Sequence, residues 1–323
     1  MDEFSFIKSI QPTGYRQSSL IKGINDDAAV FRQTSQDIVT SVDTMVEEVH
    51  FSKKTMTPYH VGYRALAANL SDLAAMGSTP AFYLVSLVVP KGWNKEELSE
   101  LYRGMQELSD KYQMDLIGGD TVSGKELCVS ITVFGYVIKR MARYRNSALA
   151  GDIVFATGTL GDARAGLECI LTGQDEPFLM GRHRMPSPRV HFAEKLTVLE
   201  RVTLNDVSDG IANESNEIAE ASAVDLHLDF EKVPYSPSVA TLFPDKYEEW
   251  ILSGGEDFEL LGTVSEKDWS KVQEIAKQTN TVVTPIGVVK ESVDQEGRVY
   301  MVKNGEKSIL NKSGYTHLQE ERD

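Results

Sequence analysis

Strand-like and helix-like runs alternate along the first 140 residues, and this alternation restricts the fold more than any other feature of the sequence. Residues 38–42 resemble a short strand, 81–89 are a mainly apolar run of strand length, and 127–138 alternates between apolar and polar side chains. Between them, residues 59–76 and 94–112 carry apolar side chains three or four positions apart, the spacing of an amphipathic helix. The pattern predicts an α/β or α+β layer structure.

A basic, irregular segment, KRMARYRNSALAGD, follows this region and predicts a domain boundary near residue 140. Beyond it, strand and helix patterns return, with strands at 153–157, 259–264 and 282–289, helices at 162–171, 210–222 and 266–278, and a loop at 181–189. A length of 323 residues suits two domains of ordinary size. We therefore expect domains at 1–140 and 141–323.

The excess of acidic residues argues against some classes of binding partner. The chain has 33 Lys and Arg against 48 Asp and Glu, a formal charge of −15, which argues against nucleic-acid and anionic-membrane binding. Two cysteines, Cys128 and Cys169, do not make a disulfide scaffold. The first residues lack the pattern of a secretory signal, and the longest apolar stretch is too short to span a membrane. We expect a cytoplasmic enzyme or binding protein.

Several carboxylates stand beside glycines, at expected strand ends or in turns, where side chains can point into a shared cleft. They are Asp26-Asp27, Asp43, Asp72, Asp120, Asp206 with Asp209, and Glu256-Asp257. Each has an ordinary structural interpretation as a turn, strand end or helix cap. Asp72 fits such an interpretation least well, because it lies in the apolar run LSDLAAM, where an unpaired carboxylate is costly.

Converging carboxylates repel one another unless a cation lies between them. Mg²⁺ takes carboxylate, water and phosphate oxygens, whereas the six histidines and two cysteines show no ligand-like spacing for zinc. Mg²⁺ would also reconcile an acidic chain with an anionic nucleotide. No Walker A or protein-kinase motif is present, and G-T-L-G at 158–161 indicates a strand–helix turn better than a phosphate loop.

Six motifs occur in an order that resembles the thiamine-monophosphate kinase family. They are D-D-A-A-V at 26–30, D-T-M-V-E-E-V-H-F at 43–51, N-L-S-D-L-A-A-M-G at 69–77, G-G-D-T at 118–121, D-V-S-D-G at 206–210 and S-G-G-E-D-F-E-L at 253–260. The resemblance runs from about residue 3 to G-Y-T-H at 314–317. It implies the two-domain aminoimidazole ribonucleotide synthetase-like fold, whose N-terminal domain dimerises through a shared β-barrel and whose C-terminal α/β domain completes an ATP cleft.

The implied reaction is transfer of a phosphoryl group from ATP to thiamine monophosphate, which yields thiamine diphosphate. The acceptor is a phosphate oxygen that is largely ionised near neutral pH, so no general base is required. Positioning and charge neutralisation by several Mg²⁺ ions suffice, and no phospho-enzyme is expected.

The resemblance also assigns residues to roles. Metal ligands match Asp27, Ser41, Val42 through its carbonyl, Asp43, Asp72, Asp120, Asp206 and Asp209, and Asp27, Asp43, Asp72, Asp120 and Asp209 are the expected catalytic set. Nucleotide contacts match Tyr102, Gly119, Asp120, Arg145 and Ser208. Thiamine-phosphate contacts match His50, Glu256 and Tyr315. Four positions depart from the family pattern, namely Asn25 and Glu48 in place of glycines, and Asn213-Glu214 in place of an aspartate–leucine pair.

Two other functions compete with this one. Another superfamily activity would phosphorylate an amide or a selenide, but neither cysteine lies near the N-terminus, where selenophosphate synthetase carries its reactive residue. The chain also lacks the C-terminal cysteine of the hydrogenase-maturation protein, since it ends E-E-R-D. The other alternative is a non-catalytic acidic protein that binds metal or nucleotide, although every position of the expected metal set carries a possible ligand.

Overall fold

The computed structural model describes residues 20–22, 29–32 and 35–314. It contains two sheets, one in each half of the chain. The expected sites Asp27 and Tyr315, and the departure at Asn25, lie outside the described residues. The first sheet ends at Ile138 and the second begins at Asp152, so the boundary expected near residue 140 falls in the segment between them. The division at that point stays a prediction.

The first half builds a six-stranded sheet with two helices. Its strands are β1 (Leu20–Lys22), β2 (Ala29–Arg32), β3 (Gln36–Val46), β4 (Thr79–Pro90), β5 (Asp115–Gly124) and β6 (Cys128–Ile138), and its helices are α1 (Pro58–Ala75) and α2 (Lys95–Lys111). The spatial order is β1-β2-β3-β6-β4-β5, antiparallel except for the parallel pair β4 and β5. Strand β5 is therefore an edge.

The second half builds a seven-stranded sheet in the order β13-β12-β9-β11-β7-β10-β8. Its strands are β7 (Asp152–Thr157), β8 (Thr203–Val207), β9 (Val224–Asp229), β10 (Glu259–Ser265), β11 (Val283–Glu291), β12 (Val299–Lys303) and β13 (Glu306–Ile309). Its helices are α3 (Asp162–Thr172), α4 (Pro177–Arg184), α5 (Val190–Lys195), α6 (Ile211–Ser222), α7 (Pro237–Leu242), α8 (Tyr247–Ser253) and α9 (Trp269–Gln278). The mixed α/β fold class is confirmed.

Helices α1 and α2 cross in contact through their backbones because glycine stands at the crossing on each helix. A Cβ added to Gly62 would lie 1.8 Å from the carbonyl oxygen of Leu101, and one added to Gly104 would lie 2.0 Å from that of Tyr59. Helix α2 begins at a capping box, in which Asn94 and Glu97 each accept the other's backbone N–H at 2.9 Å. The close crossing leaves the rest of α1 free to face the second half.

One hydrophobic core runs through both halves. Its members include Leu66 and Leu70 of α1, and also Phe155, Phe192 and Leu204 of the second half, all at most 1% exposed. Helix α1 is buried on nearly every side because it lies between the first sheet and the second half. The side chains that α1 carries can therefore contribute to a site between the halves.

Three local expectations were wrong. Residues 118–120 lie in strand β5 instead of a turn, and Asp43 lies inside β3 instead of after it, because both strands run further than their apolar residues indicate. The expected loop at 181–189 begins only after Arg184, since α4 extends to that residue.

Candidate active site between the two halves

A cleft of about 540 Å³ lies between the two halves of the chain. It is lined from the first half by Asp43, His50, Arg64, Ala68 and Asp72, and from the second half by Arg164, His183, Asp206, Ser208, Asp209 and Glu256, among others. Seven of these residues belong to the set expected from the sequence: Asp43, His50, Asp72, Asp206, Ser208, Asp209 and Glu256. Ser208, which the resemblance assigned to the nucleotide, lines the same cleft.

The first-half carboxylates come from two adjacent elements. Asp43 lies in β3, and its backbone N–H donates to Oδ1 of Asn69 on α1 at 3.1 Å. One turn further along α1, Asp72 accepts a hydrogen bond from the hydroxyl of Ser41. These contacts join β3 to α1 and place the expected metal residues Ser41, Asp43 and Asp72 side by side.

The second-half carboxylates follow strand β8. Asp206 lies in β8, and Asp209 lies in the turn that leads into α6. That turn rests on Glu214, whose Oε1 accepts the backbone N–H of Asp209 at 2.8 Å and the hydroxyl of Ser208 at 3.4 Å. Burial, and then the charges of Asp209 and Glu217, raise the pKa of Glu214 well above its usual value. Glu214, one of the departures from the family pattern, therefore holds the turn that carries Ser208 and Asp209 through these two hydrogen bonds.

Glu256 and its neighbour Asp257 have different surroundings, and Glu256 lines the cleft. Glu256 and Phe258 have positive φ angles of 69° and 50°, in the left-handed region that is costly for non-glycine residues. Two backbone bonds to the end of β8 hold this segment, from Glu256 N–H to the Ser208 carbonyl at 2.6 Å and from Phe258 N–H to the Val207 carbonyl at 3.0 Å. The Glu256 side chain consequently faces the cleft.

The carboxylate of Asp257 is buried at the start of α3. It accepts the backbone N–H groups of Gly161 at 2.6 Å and Ala163 at 2.9 Å. Burial raises the pKa of Asp257 to about 7, against the opposing effect of Arg182 and of these two N–H groups. The G-T-L-G segment at 158–161 is the turn between β7 and α3. The Asp257 carboxylate occupies the start of α3, where a phosphate group would lie in a phosphate-binding loop.

His50 is held in one orientation by its own loop. Its Nδ1 accepts the backbone N–H of Val46 at 3.0 Å, so the neutral imidazole carries its proton on Nε2. The preceding Glu48 has a φ of 64°, which explains why the family pattern has glycine there. The loop thus presents His50 to the cleft as a hydrogen-bond donor.

Arg64 and His183 are two cleft residues that the sequence analysis missed. Arg64 on α1 is fully buried, and its Nη1 donates to the carbonyl of His183 on α4 and lies 2.9 Å from Nδ1 of the same residue. Its Nη2 forms an ion pair with Glu256. Burial and then the charge of Arg64 lower the pKa of His183 to about 2, so His183 is neutral. A lone arginine in a helical pattern looks like a solvent-exposed residue, so its burial could not be predicted from the sequence.

Several other expected residues do not line this cleft. Gly119 and Asp120 lie on the exposed edge strand β5, and Val42 is 60% exposed on β3. Tyr102 lies on α2 and packs against the hydrophobic core, where burial and then Tyr83 raise its pKa. Arg145 contacts Asn205 Oδ1 at 3.0 Å and Glu217 Oε2 at 3.2 Å, in the second half. Their roles as metal and nucleotide ligands stay predictions.

The donor set of the cleft fits a hard divalent cation. Its carboxylates are Asp43 and Asp72 from one half and Asp206 and Asp209 from the other, and Mg²⁺ takes oxygen ligands of this kind. Among residues 20–22, 29–32 and 35–314, no three His, Cys, Asp or Glu side chains already converge on one point. Water and phosphate oxygens, which Mg²⁺ commonly retains, would complete the coordination.

The described helices include none that is long and apolar enough to cross a membrane.

Comparison with known proteins gives matches over nearly the whole chain. Residues 25–137 match the N-terminal domain, and residues 150–300 the C-terminal domain, of AIR synthase related protein. Thiamine-monophosphate kinase from Bacillus subtilis is 43% identical over 99% of this chain and 100% of its own length. The Escherichia coli K12 enzyme of the same name is 34% identical over 92% and 91%. The solved structure of AaThiL complexed with AMPPCP and TMP superposes with a TM-score of 0.84, at 29% identity, over 98% of this chain and 97% of that one.

Proposed function

This chain belongs to the thiamine-monophosphate kinase family of AIR synthase-related proteins, and we propose that it transfers the γ-phosphoryl group of ATP to thiamine monophosphate. One observation of the structure supports this most directly. Four aspartates from both halves line the same cleft as His50 and Glu256. A site of this kind can gather two anionic phosphates, which is the main difficulty of the reaction.

The chain's own residues supply positioning and charge. Asp43, Asp72, Asp206 and Asp209 would hold Mg²⁺, which neutralises the phosphate oxygens when bound. His50 offers an Nε2 proton to an acceptor oxygen, and Glu256 offers a carboxylate to the cationic thiamine ring. The phosphate nucleophile is ionised without a general base, so transfer is direct and in line, with no phospho-enzyme.

The nucleotide residues belong to the finer part of the proposal. We assign Gly119, Asp120, Arg145, Ser208 and Tyr102 to ATP. We assign Asp27, Ser41, Val42 and Asp120 to the metal ions together with the cleft aspartates, and Tyr315 to thiamine. Ser208 supports the assignment best, because it lies in the cleft between Asp206 and Asp209. We place the enzyme in the cytoplasm.

Product analysis tests the reaction. The protein is incubated with Mg-ATP and thiamine monophosphate, and parallel samples contain unphosphorylated thiamine or an excess of EDTA. We expect equal amounts of thiamine diphosphate and ADP from the monophosphate, and no turnover after chelation. ADP without thiamine diphosphate would point to another acceptor. No ADP from folded protein would contradict the kinase assignment.

We further propose that the enzyme is a homodimer that pairs through β5. All ten residues of this edge strand are exposed in the single chain, including the apolar Leu116, Ile117 and Val122. Soluble proteins rarely leave a long apolar edge strand uncovered, and a second copy would cover it. Such pairing would also place the partner beside Gly119 and Asp120.

Sedimentation equilibrium tests the dimer. We expect a dimeric wild type and a Val122→Lys variant shifted toward monomer, because the lysine would place a charge in the interface. Val293→Lys is the matched control, since Val293 is fully exposed on the second half. A monomeric wild type, or an equal shift in both variants, would contradict pairing through β5.

A further inference from the structure

Arg64 is a cation enclosed between the two halves of the chain. It is the largest of the fully buried side chains and lies on α1 of the first half. Its guanidinium, however, contacts His183 and Glu256 of the second half. Burying a guanidinium is costly unless acceptors surround it, so its contacts need an explanation.

The three nitrogens of the Arg64 guanidinium make different contacts. Nη1 donates to the His183 carbonyl and faces the neutral His183 ring, so this side of the guanidinium has acceptors. Nη2 approaches the Glu256 carboxylate as an ion pair without the alignment of a hydrogen bond. Nε has no hydrogen-bond partner within the described ranges. The neutral histidine thus anchors Arg64, and Glu256 supplies a countercharge to its guanidinium.

The Glu256 carboxylate lies between a buried cation and the cleft. Arg64 lies behind it and is 1% exposed, whereas the Glu256 side chain is 40% exposed and lines the cleft. The left-handed backbone of Glu256 is intrinsically unfavourable, so the orientation of its carboxylate depends on what surrounds it. The backbone bonds to the end of β8 hold the main chain of Glu256, and Arg64 supplies the opposite charge that pairs with its carboxylate.

We infer that Arg64 is a positioning residue for the acceptor substrate, because it holds the Glu256 carboxylate toward the cationic ring of thiamine monophosphate. Arg64 acts through Glu256 and does not itself contact the substrate. This inference rests on the proposed function. Because its ion pair is with Glu256, we expect its loss to affect binding of the acceptor and to leave ATP binding and phosphoryl transfer largely unchanged.

Steady-state kinetics with both substrates varied test the inference. In Arg64→Met, we expect KM for thiamine monophosphate to rise about ten- to hundredfold, the usual size of a lost charge-assisted contact. KM for ATP and kcat at saturation should stay within about threefold of wild type. Arg64→Lys keeps the charge but lacks the planar fork, and should give an intermediate KM. Glu256→Gln should raise KM for the acceptor to a similar extent.

The double variant separates positioning from an independent effect. If Arg64 acts through Glu256, adding Arg64→Met to Glu256→Gln should change KM by less than about threefold. Effects that multiply in the double variant, or a KM for ATP that rises as much as that for the acceptor, would overturn the inference. If Arg64→Met does not fold, the same cycle with Arg64→Lys decides between these outcomes.

Arg143→Met is the matched control. Arg143 is also buried, but its guanidinium donates to the backbone carbonyls of Leu196 and Leu199, at 2.9 and 2.7 Å, and it does not line the cleft. We expect a lower melting temperature and an unchanged KM for thiamine monophosphate. An equal rise of KM in this variant would assign the Arg64 effect to general loosening of the fold. A wild type that does not phosphorylate thiamine monophosphate would refute the proposed function instead.

Discussion

Replacing Asp72 by asparagine is expected to lower kcat by at least about 100-fold, because the amide keeps the shape of the side chain but loses the charge that would hold Mg²⁺ in the proposed site. The fold should be retained, since the amide oxygen of asparagine can still accept the hydrogen bond from Ser41. The measurement is the rate of thiamine diphosphate formation at saturating Mg-ATP, with circular dichroism to verify folding.

Asp110→Asn is the control for this experiment. Asp110 is also a helical aspartate, but it is exposed on α2, away from the cleft. Its variant should retain wild-type kcat. Near-normal activity of Asp72→Asn would remove Asp72 from the metal site, and a partial recovery at raised Mg²⁺ would indicate weakened metal binding.

Replacing Glu259 by glutamine should lower the free energy of unfolding more than any other substitution proposed for this chain. Glu259 is fully buried, and its carboxylate accepts from Arg182 at 2.7 Å, Arg189 at 2.5 and 2.6 Å, and Thr157 at 2.7 Å. Removing one member of a buried ion pair leaves the partner charges uncompensated, which costs about 3–5 kcal/mol. Urea denaturation should show this decrease in the free energy of unfolding.

The pH dependence of the same contribution has a defined sign. Burial alone would raise the pKa of Glu259, but Arg189 and Arg182 outweigh it and hold the pKa below its usual value. The stabilisation is therefore present above the pKa of the unfolded chain and is lost as the pH falls through the lower pKa of the folded chain. Glu100→Gln, at an exposed ion pair with Arg103, should change neither stability nor its pH profile. Equal stability of both variants would contradict a structural role for Glu259.

The acidic residues of the site could be predicted because ordered motifs carry them. Asp43, Asp72, Asp206 and Asp209 stand in strings whose order indicates a family, and the structure places all four in one cleft. The secondary structure around these residues was harder to predict from the sequence. Asp43 was expected after a strand because polar residues usually end one, yet pairing with β6 extends β3 beyond it.

Other features depend on contacts that no local pattern contains. The charged pair of Arg64 and Glu256 joins residues almost 200 positions apart in the chain, and nothing in the sequence around Arg64 indicates this partner. Strand β5 looks like a turn because its glycines and its aspartate favour turns, while hydrogen bonding to β4 makes it a strand. Glu214 stood out only as a departure, and its role under Asp209 is visible only in the folded chain.

Helix α1 carries Arg64, Ala68 and Asp72 on the face that lines the cleft. They are spaced by one helical turn each, so the first and the last lie about 12 Å apart along the axis. One end of this face contacts the Glu256 carboxylate, and the other carries Asp72. In the proposed reaction, the backbone rise of the helix would therefore set the distance between the bound ring of the acceptor and its reacting phosphate. Side-chain substitutions would alter the binding at either end, but they would leave this distance unchanged.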